Sequence, residues 1–230
     1  MRALARRRGH EAHPPRVFVR QLRVALSKLR ALRREGAPVE LDLDETVNAT
    51  CRNAGELELR WVPPRRNQLK VMLLMDAGGS MVPYARLVSR LFSAAAAMKN
   101  FKDFKYFYFH NFIYESLWKD NRRRHSEKTP TLDIAHKYGS DYKLIFVGDA
   151  TMSPYEIVYA GGSVEHWNEE PGAVWMKRLL SAYPKAVWLN PEPRERWEYT
   201  PSTKMIRELI DDRMYPLTIA GLDEAIRKLH

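Results

Sequence analysis

Two aspartates in this 230-residue chain stand where an acidic side chain can do chemistry. Asp76 directly follows the apolar run 71–75, and Asp149 directly follows the run 144–148. An acid at that position lies at the carboxyl end of a buried strand. In open α/β sheets the loops diverge there, near the point where strand order reverses, and leave a crevice in which ligands collect. Neighbouring strands would bring the two carboxylates together beside Ser80 and a threonine hydroxyl. Such an all-oxygen set suits a hard divalent cation such as magnesium and suits zinc or copper poorly. Taken singly, each aspartate reads better as the cap of a turn or helix; only their joint placement points to a site.

The elements that must position these residues follow from periodicity. Val71, Met72, Leu73, Leu74 and Met75 are apolar without interruption, the pattern of a strand buried on both faces of a mainly parallel sheet. Gly78 and Gly79 then turn the chain into a helix expected over 83–98, and further strands are expected at 105–109, 113–118, 143–147 and 186–189. Helices are expected at 131–138, 173–183, 201–211 and 221–229. Strands alternating with helices predict a doubly wound α/β sheet. Upstream, Phe18, Leu22, Leu26, Leu29 and Leu32 recur three or four apart, predicting one amphipathic helix over 15–34 stopped by Gly36 and Pro38. A short helix over 41–53, capped by Asp42 or Asp44 and broken by Gly55, and a half-buried strand over 56–62 complete the pattern.

The segment Met75, Asp76, Ala77, Gly78, Gly79, Ser80, Met81 resembles the metal-ion-dependent adhesion site of a von Willebrand factor A (VWA) domain, whose first motif is D-x-S-x-S after the central strand. Asp76 and Ser80 match, while Gly78 stands where the family has its first serine. Val147, Gly148 and Asp149 resemble the later strand-end aspartate, and Thr131, or alternatively Thr129, stands for the threonine that opens the intervening helix. Residues 41–47 and 52–57 are similar to the segment preceding the A domain in bacterial CoxE-like proteins. The resemblance implies a Rossmann-like VWA fold over 41–230 behind a basic helical arm at 1–40. It implies a magnesium site at Asp76, Ser80, Thr131 and Asp149, weakened because Gly78 offers no hydroxyl and water must fill the gap. A serine at position 78 is therefore expected to tighten magnesium binding. The implied function is that of a non-enzymatic protein-interaction module whose partner supplies an acidic ligand to the metal. Relatives are often encoded beside MoxR-type AAA+ ATPases, which implies a role as an adaptor for such an ATPase.

Other chemistries fit the same residues less well. A metal-dependent hydrolase or phosphotransferase using Asp76 and Asp149 is the alternative, but phosphotransferases that use a strand-end aspartate commonly place a second acid two positions later, where this chain has Gly78. Gly78 and Ser80 resemble the start of a nucleophile elbow, yet Val82 replaces its second glycine. Two glycines without a lysine are too few for a phosphate-binding loop. The aromatic run 106–109 reads as core, His110 and His166 lack metal-ligand spacing, and Arg122, Arg123 and Arg124 read as a solvated loop.

Charge narrows the functional classes further. Lys and Arg number 38 against 28 Asp and Glu, a formal net charge of +10. Residues 1–34 hold eleven of the cations against Glu11 alone, which leaves the other 196 residues balanced at 27 of each sign. Nucleic acid or an anionic membrane would therefore be met by the arm and not by the folded surface. The lone Cys51 excludes an intrachain disulfide and a cysteine-based metal site, which with the absence of a membrane span or secretory leader predicts a cytoplasmic protein.

Overall fold

The computed structural model describes residues 15–99, 101–162 and 167–230, with side chains from Val19 onward. The terminal arginines Arg2, Arg6, Arg7 and Arg8, and Ser163 and His166 of the Gly161 loop, lie outside the described residues.

Seven strands form one sheet, numbered here β1 to β7 in chain order: Lys70–Asp76, Asp103–Phe109, Ser116–Trp118, Lys128–Pro130, Tyr142–Val147, Ala186–Asn190 and Met214–Pro216. Their spatial order is β7-β6-β5-β1-β2-β3-β4. From β7 to β2 neighbours run parallel, and β3 and β4 extend the edge antiparallel. The chain leaves β1 for β2 on one side and returns later to β5 on the other, so strand order reverses between β1 and β5. Residues 71–76 of β1 are all buried, as an uninterrupted apolar run requires.

Alternation along β1 sends successive side chains to opposite faces and builds two cores. Val71, Leu73 and Met75 join a core closed by helices α1 (Pro15–Ser27), α3 (Ala85–Ala96) and α8 (Ile219–Leu229). Met72 and Leu74 join a second core, with Phe146 and Trp188, under α4 (Thr131–Lys137), α5 (Pro154–Val158), α6 (Gly172–Ala182) and α7 (Pro201–Leu209). Helices on both faces of a mostly parallel sheet make the fold doubly wound α/β, as expected.

Several local expectations need correction. The amphipathic helix ends at Ser27 instead of continuing to Arg34, because Asn67 Oδ1 captures the Ala31 N–H (2.9 Å) and diverts the chain into a strand, Leu32–Arg34, paired antiparallel with Arg65–Asn67. Its stripe packs in part: Leu22, Leu26 and Leu29 are buried, Leu32 is exposed, and the Phe18 side chain lies outside the described residues. The strand expected over 56–62 shrinks to Trp61–Val62, because Thr50 and Thr46 of α2 (Leu43–Arg52) accept the N–H groups of Glu58 and Arg60 through their hydroxyls. Asp42 is the N-cap of α2, accepting from Glu45 N–H. Pro83 sits in a 3-10 turn, Gly79–Tyr84, so α3 begins only at Ala85. Ile113 and Tyr114, expected in a strand, pack in the core ahead of β3.

Candidate functional site

Asp76 is the last residue of β1, and its neighbours at that end of the sheet are the chain segments leaving β2 and β5. Its Oδ1 accepts two backbone N–H groups, from Gly78 (2.7 Å) and from Asn111 (3.0 Å). Its Oδ2 is buried with no hydrogen-bond partner among the described residues. Burial pushes this carboxyl up to about 7, repulsion from Asp149 and Glu156 adds to the rise, and the two amide bonds oppose it.

Asp149 lies two residues beyond β5 and is equally withdrawn from solvent. Its Oδ1 accepts from Thr151 N–H (3.0 Å), and the nearby Ser80 hydroxyl favours the charged form of the same carboxylate. Burial raises this carboxyl too, and the charge of Glu192 adds to the rise. Gly148 lets the two strand ends approach, since a Cβ there would meet Asp76 Cβ at 3.0 Å and the Trp188 ring at 3.1 Å. Each aspartate therefore does cap a turn, bonding the N–H two residues on, and the two turns lie at the ends of adjacent strands, near enough for Asp149 to raise Asp76.

The backbone here is held in costly conformations. Ala150 and Asn111 both have positive φ (58° and 56°). The Ala150 carbonyl is clamped by the hydroxyls of Ser202 (2.8 Å) and Thr203 (3.2 Å), both buried. Non-glycine residues in the left-handed region persist only where surrounding bonds enforce them, and they cluster at functional sites.

Asp76 and Asp149 thus stand at the ends of adjacent strands, with the exposed Ser80 acting on Asp149. Thr131 opens α4 and is buried, but its hydroxyl donates to the Tyr114 carbonyl (2.6 Å), while Thr129 lies in β4 opposite Leu117. Tyr114 in turn places its own hydroxyl on Glu156, 3.0 Å from the carbonyl and 3.4 Å from Oε2.

Three residues of the site escaped the sequence: Asn111, Glu156 and Glu192. Glu156 stands three residues after Ser153, the N-cap of α5, a spacing that reads as a helix-capping pair. Its carboxylate instead turns inward, where Asn111 Nδ2 donates to both oxygens (3.2 and 3.3 Å). Asn111 and Glu192 each follow the end of a parallel strand by two residues, the same rule that singled out the aspartates.

The expectation for position 78 also changes. Gly78 has φ −64° and ψ 159°, which any residue can adopt. A Cβ there, however, would collide with Asn111 Oδ1 and lie 3.1 Å from Asp76 Oδ1. The space a serine needs is filled, so Gly78→Ser alone is no simple gain of a ligand.

The donor types suit a hard cation: Asp76 and Asp149 are carboxylates at the ends of adjacent strands, Ser80 and Asn111 bring neutral oxygens beside one or the other, and one carboxylate oxygen is buried with nothing to bond. Among the described residues no three His, Cys, Asp or Glu side chains form a metal-binding group, so any cation here would rest on two acids and neutral oxygens.

Elsewhere, Phe107 and Phe109 are core, whereas Tyr106 packs edge-on against Phe92 and remains 39% exposed. Arg124 pairs with Asp120. No helix among the described residues is long and apolar enough to cross a membrane.

Residues 18–116 match the family model described as VWA domain containing CoxE-like protein. No curated protein and no solved structure matches the chain.

Proposed function

We propose that this chain, a VWA domain protein of the CoxE-like family, uses the crevice at the carboxyl ends of β1 and β5 to hold a divalent cation and through it a protein partner. VWA domains serve as protein-interaction modules. The observation that carries the finer reading is the buried, unpartnered Oδ2 of Asp76, in a carboxyl near enough to the buried Asp149 for their charges to repel.

Asp76, Ser80 and Asp149 would hold the ion, with magnesium favoured by the all-oxygen set. A bound cation would offer an open position to a carboxylate oxygen of a partner. Asp76 is oriented by the Gly78 and Asn111 amides, and Asp149 by the Thr151 amide and Ser80, so neither needs to reorganise on binding. Thr131 stays with the candidates through family resemblance alone, since its hydroxyl is bonded to Tyr114. The chain acts as an adaptor and not as an enzyme, and a MoxR-type AAA+ ATPase is the partner that the family suggests.

Affinity capture from the native cell, with and without chelator, tests partner and metal together. A MoxR-type ATPase retained by the natural chain in magnesium, and lost both with chelator and with Asp76→Asn, is the expected result. Equal retention in all three arms would overturn the metal-bridged reading. Turnover of phosphate esters that depends on Asp76 would favour a hydrolase instead.

A further inference from the structure

We infer that Asn111 supplies the neutral oxygen ligand that Gly78 lacks, so that the site is rearranged and not one ligand short. This rests on the cation reading above and deepens it.

Gly78 stands where a side chain would meet Asn111. Its φ and ψ are ordinary, so glycine is not demanded by the backbone there. Space favours it instead, because a Cβ there would collide with Asn111 Oδ1 and the amide would have to give way. One loop carries no side chain there, and Asn111, from the loop after the next strand, reaches into the space.

The amide is held in that pose from three directions. Asn111 has φ 56°, a left-handed conformation that asparagine tolerates better than most residues. Its backbone N–H donates to Asp76 Oδ1 (3.0 Å), which ties it to the carboxylate whose other oxygen is unpartnered. Its Nδ2 donates to the buried Glu156 carboxylate, and this sets which way the amide faces. A flipped amide would set oxygen against oxygen. Oδ1 is therefore turned towards Gly78 and Asp76. An amide carbonyl is a hard, neutral donor that coordinates magnesium or calcium without losing a proton, as a serine hydroxyl does. Glu156 is the positioning residue: it fixes Asn111, and Tyr114 places a hydroxyl against it in turn.

Calorimetric titration of the full chain with magnesium chloride, repeated with manganese, tests this. Asn111→Gly suits the positive φ and keeps the N–H bond to Asp76, removing only the amide. It should weaken binding about tenfold or more. Gly78→Ala should also weaken it, since its methyl evicts Asn111 Oδ1 and offers no oxygen. The double variant Gly78→Ser with Asn111→Gly regains a hydroxyl in the vacated space and should recover most of the affinity, a rescue that a purely structural role for Asn111 would not produce. If Asn111→Gly or Gly78→Ala binds as tightly as the natural chain while Asp76→Asn abolishes binding, the assignment of Asn111 is overturned and the cation site survives. If the folded natural chain binds neither metal, both fall.

Discussion

The two ends of β1, β2 and β5 handle charge in opposite ways. At the amino ends Lys70 stands in register with Asp103 and Tyr142, Lys70 pairs with Asp141 (2.9 Å), and Lys105 pairs with Asp103 (2.8 Å) while the Tyr142 hydroxyl donates to the same acid. Burial alone would raise the Asp103 carboxyl, but the bonds from Lys105 and Tyr142 outweigh it and hold the group below its usual range. At the carboxyl ends the same strands deliver Asp76 and Asp149, and the charges that act on them belong to other carboxylates, Glu156 and Glu192 among them. One end is neutralised by side chains of the chain itself. The other gathers negative charge out of water, a costly arrangement unless something positive completes it.

The largest expected effect falls on the scaffold that both ends share. Leu26 is buried between α1 and the sheet, so Leu26→Ala should lower unfolding stability by about 2 to 5 kcal/mol in denaturant titration. Both ends would lose stability alike, whatever the pH. A cost near zero would mean that α1 is not part of the core.

Next is the acid at the carboxyl end. The folded carboxyl of Asp76 titrates near 7 and the unfolded one near 3.8, so between those values the folded state binds the extra proton. Metal-free protein should therefore lose stability as pH rises from about 4 to about 7, and the loss should be complete above that. Asp76→Asn keeps an oxygen for the two amides and removes the buried charge. It should flatten this slope and stabilise the metal-free chain at pH 8 by on the order of 3 kcal/mol. Destabilisation at pH 8 would show that the carboxylate is already compensated.

Magnesium should act on the same end with the opposite sign. At a concentration one hundred times its dissociation constant it should stabilise the natural chain by about 2.7 kcal/mol and leave Asp76→Asn unmoved. Thermal melts with and without magnesium read both.

The smallest effect belongs to the amino end. Asp103 has a lowered pKa, so its contribution is present above the unfolded value near 3.8 and disappears as pH falls through the folded one. Because about a third of each side chain of the pair stays open to solvent, Asp103→Asn should cost only on the order of 1 kcal/mol and its effect should fade in salt. An effect as large as that of Asp76→Asn, or of the same sign, would erase the contrast between the two ends.

What could be read from the sequence was what depends on near neighbours. The uninterrupted run 71–75 identifies the buried central strand, and Asp76 and Asp149 do stand at the carboxyl ends of that strand and its partner. Chain contacts made across long separations were not legible. Asn67 stopping α1, Thr46 and Thr50 replacing a strand partner, and Glu156 leaving its helix cap for Asn111 all depend on residues that meet only after folding. Gly78 shows the limit most clearly. Its missing hydroxyl reads as a defect in the local motif, and only the fold brings Asn111 into the gap.

The central claim, that the carboxyl ends of β1 and β5 hold a cation, is tested most directly by a crystal structure grown with manganese and read by its anomalous signal. One peak is expected, bonded to Asp76 Oδ2, with Ser80, Asp149 and Asn111 oxygens around it at metal–oxygen distances of about 2.0 to 2.6 Å. An empty crevice, or a peak instead beside Asp103 and Asp141 at the amino ends, would contradict it.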